Sequence, residues 1–189
     1  MSRFSYTACM PSPHHARRLN MPAFAAEAES LAGRTLLQNM ERLAQENTAL
    51  QADKAVDWEA RAELRPGAGT EGDIWLHLQA TTTLTLICQR CMGPVDTPVA
   101  VDQWYRFVAT EDIAMAEDDD AEEDLLVLEP QFDLLAVLED ELLMALPVVP
   151  MHAECPVIPP MHAGELGVTD DASEKPNPFA VLVQLKNPK

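Results

Sequence analysis

Cys88-Gln89-Arg90-Cys91 and His152-Ala153-Glu154-Cys155 each hold two soft or borderline donors apart by two intervening residues. Three thiols and an imidazole make up a donor set that tetrahedral zinc takes in closed structural sites. The two pairs lie about 60 residues apart, outside the window of a finger-type repeat. A site built from Cys88, Cys91, His152 and Cys155 would therefore be a tertiary clip joining distant segments. Two other readings begin from the same residues. A bare C-x-x-C can be a redox pair, but that chemistry opens a helix in a βαβ unit, and this one follows a threonine-rich apolar run. The set can also be degenerate, two buried thiols and a solvent-facing histidine. Cys9 sits in a Pro/His-rich opening and looks incidental, and four cysteines in 189 residues are too few for a disulfide scaffold.

Other chemistry-bearing residues converge less well. Glu139, Asp140 and Glu141 are adjacent, so on a helix they point in different directions and do not share one substrate atom. No nucleophile or glycine-rich phosphate loop accompanies them. They read as a solvated helix face, with one residue available for a hydrogen bond that fixes the fold. Trp104, Tyr105 and Phe107 could stack on bases, but strand aromatics read first as core.

The elements that must position the four donors are legible in the pattern. Residues 56–64 alternate apolar and charged side chains, the period of a half-buried strand. Residues 74–87 continue as a second strand into Cys88, and 99–107 form a third. The knuckle then becomes the tip of an antiparallel hairpin, with Gly93-Pro94 completing the reversal. Residues 132–146 are the best helical candidate, with Asp133 near the start and Leu134, Leu135, Leu138, Leu142 and Ala145 on one face. Pro147 and Pro150 end it and deliver His152. Upstream, an Ala/Glu-rich helix is expected from Pro22 to Glu46, divided at Gly33. A short strand is expected at 125–128. The order predicts an α+β fold, a single domain of an antiparallel β-sheet packed with a few helices. A flexible tail is expected over 1–21, the domain over 22–189, and a C-terminal docking segment over 175–187.

The formal charge of −18 repels phosphate, which argues against a conventional duplex-reading or strand-tracking protein. Residues 111–124 hold nine carboxylates and no basic side chain, and read as a solvated acidic loop. That block either keeps the chain in solution or meets a basic partner. Arg17, Arg18, Lys175, Lys186 and Lys189 could touch RNA phosphates, weakly and with strong salt dependence. No signal peptide and no apolar run of about 20 residues is evident, so a soluble protein of the reducing cytoplasm is expected, with no membrane and no DNA partner.

Three blocks together resemble one family. They are Cys88-Gln89-Arg90-Cys91-Met92-Gly93-Pro94-Val95, the stretch from Leu138 to Pro150 followed by His152, and Lys175-Pro176-Asn177-Pro178-Phe179-Ala180-Val181-Leu182. Their order and composition resemble the bacterial YceD (DUF177) family of large ribosomal RNA subunit accumulation proteins, over roughly residues 24–186. The resemblance implies a part in synthesis, processing or stability of 23S rRNA, and it brings no catalytic residues with it. Many members of the family carry a second cysteine cluster after the LP-x-x-P block, where this chain offers His152 and Cys155. The expectation is a non-enzymatic ribosome biogenesis factor working through protein contacts, its partner a basic ribosomal protein or assembly factor held by the acidic block and the C-terminal segment. The alternatives are a metal-assisted RNA-processing enzyme, which would need a cluster of hard carboxylate ligands, and a thiol redox module.

Overall fold

The structure is a computed structural model of the chain and describes residues 14–48, 54–67 and 72–157. The backbone divides into two compact units, Met1–Cys155 and Pro156–Lys189. Apart from its first two residues the second unit lies outside the described residues, and so do the expected docking segment and Cys9.

The first unit is α+β, built on a five-stranded sheet in the order β1 (Ser30–Leu36), β2 (Ala55–Arg65), β3 (Asp73–Ile87), β4 (Pro94–Val108) and β5 (Asp124–Val127). Strands β3 and β4 are 15 residues each and pair antiparallel from Ile74↔Phe107 to Ile87↔Pro94, so the knuckle is the hairpin tip, as expected. Side chains alternate across a strand. Leu76, Leu78, Ala80, Leu84 and Leu86 therefore form one inward row on β3, met on β4 by Val95, Val99, Val101, Tyr105 and Phe107. Cys88 continues the inward row and is fully buried.

Helices α1 (Met21–Glu27), α2 (Glu41–Glu46) and α4 (Leu134–Met144) supply the core's second layer. Asp133 caps α4 by accepting from the Leu135 and Ala136 amides at 3.0 and 3.1 Å, and Leu134, Leu138 and Leu142 make its fully buried stripe. Burial of each such leucine contributes about 1.5–3 kcal/mol.

Four expectations are corrected. The helix expected from Pro22 to Glu46 is interrupted by a strand. Asn20 caps α1 and Ala28, left-handed at φ 49°, ends it. Residues 30–36 then pair with β2, where Gly33 faces Trp58 and a Cβ on Gly33 would sit 2.6 Å from the indole. The indole N–H donates to Thr35 Oγ1 at 2.9 Å, which fixes the strand in place. Glycine here makes room for a ring and does not divide a helix.

The sheet is mixed and not wholly antiparallel. β5 lies parallel to β4, with Tyr105↔Asp124 through Val108↔Val127. A parallel neighbour needs a crossover of a dozen or so residues, and the acidic stretch supplies it. That stretch is also not simply a loop. Thr110 caps α3 (Glu111–Glu117), whose first turn carries Glu111 and Asp112, where carboxylates suit the helix dipole. Almost all of it stays exposed, as a charge-rich stretch should.

Part of the expected tail belongs to the fold. Leu19 is fully buried and exchanges backbone hydrogen bonds with Phe132, both at 2.9 Å. Apolar burial of Leu19 and Met21 ties down what composition alone left as an unpatterned segment. Among the described residues no helix is long and apolar enough to cross a membrane.

Candidate metal centre

The four donors meet. Cys88, Cys91, His152 and Cys155 place one ligand atom each so that all lie within 4.8 Å of one another. Cys88 comes from the end of the inward row of β3, and Cys91 from the turn that follows it. The turn is closed by Cys88 N–H donating to Gly93 O and Met92 N–H donating to Cys88 O, both at 2.9 Å. Met92 takes a left-handed conformation at φ 59° to let it close. His152 and Cys155 arrive on the strap after α4. Gln89 N–H donates to Pro150 O at 2.9 Å, and the Arg90 guanidinium donates to His152 O at 2.5 Å, so knuckle and strap are joined by main-chain acceptors as well as by side chains.

The distances test the zinc reading. Cys88 Sγ and Cys155 Sγ are 3.8 Å apart, and Cys91 Sγ lies 3.4 Å from His152 Nδ1. Zinc–sulfur bonds of about 2.3 Å and zinc–nitrogen bonds of about 2.0–2.1 Å at tetrahedral angles put ligand pairs about 3.8 and 3.6 Å apart. A disulfide needs sulfurs about 2.05 Å apart, and the three cysteines are free thiols. The other imidazole nitrogen, His152 Nε2, lies 2.9 Å from Pro94 O. A carbonyl can only accept, so Nε2 carries the proton and Nδ1 presents its lone pair to the sulfurs, the outer hydrogen bond a metal-ligating histidine uses. Burial opposes ionisation of Cys88, but amide donors of His152, Cys91 and Arg90 outweigh it and bring its pKa down to about 5. Cys155 is pushed up by burial and then by Cys91 and Cys88, which favour its neutral form. These residues fit a closed four-ligand ion, whose chemistry would be structural, with no open position for substrate.

The remaining candidates separate. Glu139 makes the expected fold-fixing contact, accepting from the Arg42 and Leu43 amides at 2.7 and 3.0 Å and so capping α2 from another helix. Asp140 pairs with Arg42 and raises its pKa, and Glu141 lies near the Tyr105 hydroxyl. That hydroxyl is buried with no hydrogen-bond partner among the described residues; burial and then Glu141 push its pKa up. Arg17 pairs with Asp133 at 3.6 Å, so it is spent on the fold. Lys175, Lys186 and Lys189 lie outside the described residues.

Tyr105 and Phe107 are core, as expected, whereas Trp104 is not. Trp104 stacks on His77 with centroids 4.2 Å apart on the outer face, edge-on to Trp75, with the Arg65 guanidinium 4.1 Å above its ring. Asp102 holds His77 at 2.6 Å. Sequence reasoning missed this cluster, although the hairpin register that the knuckle fixes already sets His77 opposite Trp104.

Comparison with known proteins bears on the same segments. Residues 76–186 match the family model described as Large ribosomal RNA subunit accumulation protein YceD, a stretch that takes in most of β3, all of β4 and α4, and all four donors. A curated protein of that name from Haemophilus influenzae is 38% identical over 109 residues, 53% of this chain and 59% of the relative, so the match spans less than two thirds of that protein. No solved structure matches. With more than half of its length matched, this chain belongs to the YceD family.

Proposed function

We propose that this chain supports accumulation of large-subunit ribosomal RNA as a non-catalytic, cytoplasmic biogenesis factor, with a zinc ion held by Cys88, Cys91, His152 and Cys155 as a structural clip. The observation that carries the biogenesis reading is the family match across residues 76–186, together with the name borne by the relative from Haemophilus influenzae. The clip reading is supported by the four-donor cluster and its spacings. Acting through protein follows from charge. At −18, with Arg17, Arg65 and Arg106 engaged by the chain's own carboxylates, it offers phosphate little and a basic ribosomal or assembly protein a great deal.

Two measurements test this. Cells lacking the protein should hold less 23S rRNA relative to 16S rRNA and regain it on complementation; an unchanged ratio refutes the biogenesis role. Protein purified without chelator should contain one zinc per chain by elemental analysis, and Cys91→Ala should abolish it. Tight binding of naked 23S rRNA at physiological salt would overturn the preference for a protein partner.

A further inference from the structure

The clip end of the molecule exposes apolar side chains on an ordered frame. Met92 and Met144 are each 70% exposed and Val148 is 97% exposed, with Val149 and Met151 also open to solvent. Met92, Val149 and Met151 come together because their chain neighbours are bonded to each other, and Val148 adjoins Val149 on the same strap. Met92 follows Cys91 and Met151 precedes His152, a pair 3.4 Å apart, while Val149 precedes Pro150, whose carbonyl accepts from Gln89 N–H. The other large exposed apolar groups among the described residues are Leu36 and Leu64, each isolated, Ile113 and Met115 on α3, and Val157 two residues beyond Cys155.

Concentrated apolar exposure of this kind marks an interaction surface. Three features make it more than a loose strap. Pro147 and Pro150 bracket the two valines and restrict their backbone. Arg90 and the Gln89 amide fasten the strap to the knuckle. Met92 is held left-handed at φ 59°, a conformation a side-chain-bearing residue adopts only when its surroundings impose it. Methionines on such a surface adapt to varied apolar partners.

Charge selects the occupant. Residues 139–155 carry Glu139, Asp140, Glu141 and Glu154 and no lysine or arginine, and the one cation beside them on the knuckle, Arg90, is turned onto the His152 carbonyl. Arg42 already holds Glu139 and Asp140, which leaves Glu141, one helical turn before Met144, and the exposed Glu154 as the carboxylate margin of the apolar patch. We infer that this patch is the contact surface for a basic amphipathic segment of a partner protein. Its apolar side chains would cover Met92, Val148, Val149 and Met151, and its lysines or arginines would face Glu141 and Glu154. The inference rests on the proposed basic protein partner and names where that partner sits, with the acidic α3 left to long-range attraction.

The test uses the full chain and two labelled peptides of equal charge, one of leucine and lysine spaced as an amphipathic helix, the other with serine in place of leucine. Fluorescence anisotropy should show the leucine peptide binding, and Val148→Asp and Met151→Asp should each weaken it by about tenfold or more. The serine peptide should bind weakly and respond to salt but not to either variant. Equal binding of the two peptides, or affinity unchanged by both substitutions, overturns the proposal. So does a melting temperature several degrees lower in Val148→Asp, because the patch would then be covered within the chain itself. Failure here with 23S rRNA still lost in cells lacking the protein would sink the surface alone. A normal rRNA ratio would sink the biogenesis reading, whatever the peptides do.

Discussion

The long β3–β4 hairpin is fastened differently at its two ends. At the tip, three thiols and an imidazole gather with spacings suited to a metal, backed by main-chain hydrogen bonds. At the open end Arg106 is gripped by two carboxylates, Glu117 of α3 at 2.8 Å and Glu123 just before β5 at 2.6 Å. One fastening uses directional donors of few kinds, so substituting any one of them breaks it. The other uses charges in a stretch rich in them, where a neighbouring carboxylate can take a lost one's place. The contrast shows why a chain can be acidic at one end of its sheet and sparing in its choice of residues at the other.

The largest effect should come from breaking the tip. Chelation of zinc-loaded protein, or Cys91→Ala, should lower the melting temperature by about 5–10 °C, the equivalent of roughly 2.7 kcal/mol for a ligand at a hundred times its dissociation constant. Calorimetry with and without chelator checks this; identical curves for wild-type protein would show that no metal fastens the tip. Arg106→Ala should cost less, about 1 kcal/mol, because its partners are partly exposed and water screens them. Denaturant unfolding in low and high salt would show that loss shrinking as salt rises; a salt-independent loss would mean the arginine acts by packing.

The smallest effect concerns pH. The Arg106 hydrogen bond holds the Glu123 carboxyl below its ordinary value of 4.5. A depressed folded-state value stabilises the fold above 4.5, and the contribution is lost as pH falls through the lowered value. Glu123→Gln should therefore flatten the acid limb of the stability profile by a few tenths of a kcal/mol. An acid limb that is the same in the variant would leave Glu123 no part in it.

What could be read from sequence follows the same division. β2, β3 and β4 were legible because strict alternation and β-branched residues admit one reading, and the donors because their residue types are rare and their spacing repeats. β1 was misread because Ala, Leu and Arg around Gly33 suit a helix until Trp58 is known to lie against that glycine. The helix in the acidic stretch was hidden because repulsion dominated the local pattern, while the compensating cation, Arg106, is supplied by a strand. The inward role of Leu19 depends on Phe132, far along the chain, and no local pattern contains it.

Residue numbers facing each other across β3 and β4 add to a constant, from Ile74 opposite Phe107 to Ile87 opposite Pro94. The turn between them thus acts as a ruler for the whole ribbon. Because β2 also holds β3, a slip of one residue at this turn would turn Val95, Val99, Val101 and Tyr105 outward in place of Asp96, Ala100, Asp102 and Trp104. The Gly93 and Pro94 carbonyls that hold Cys88 and His152 would move with them. Sulfur placement and strand alignment are one specification written in the same six residues, and neither can drift without the other.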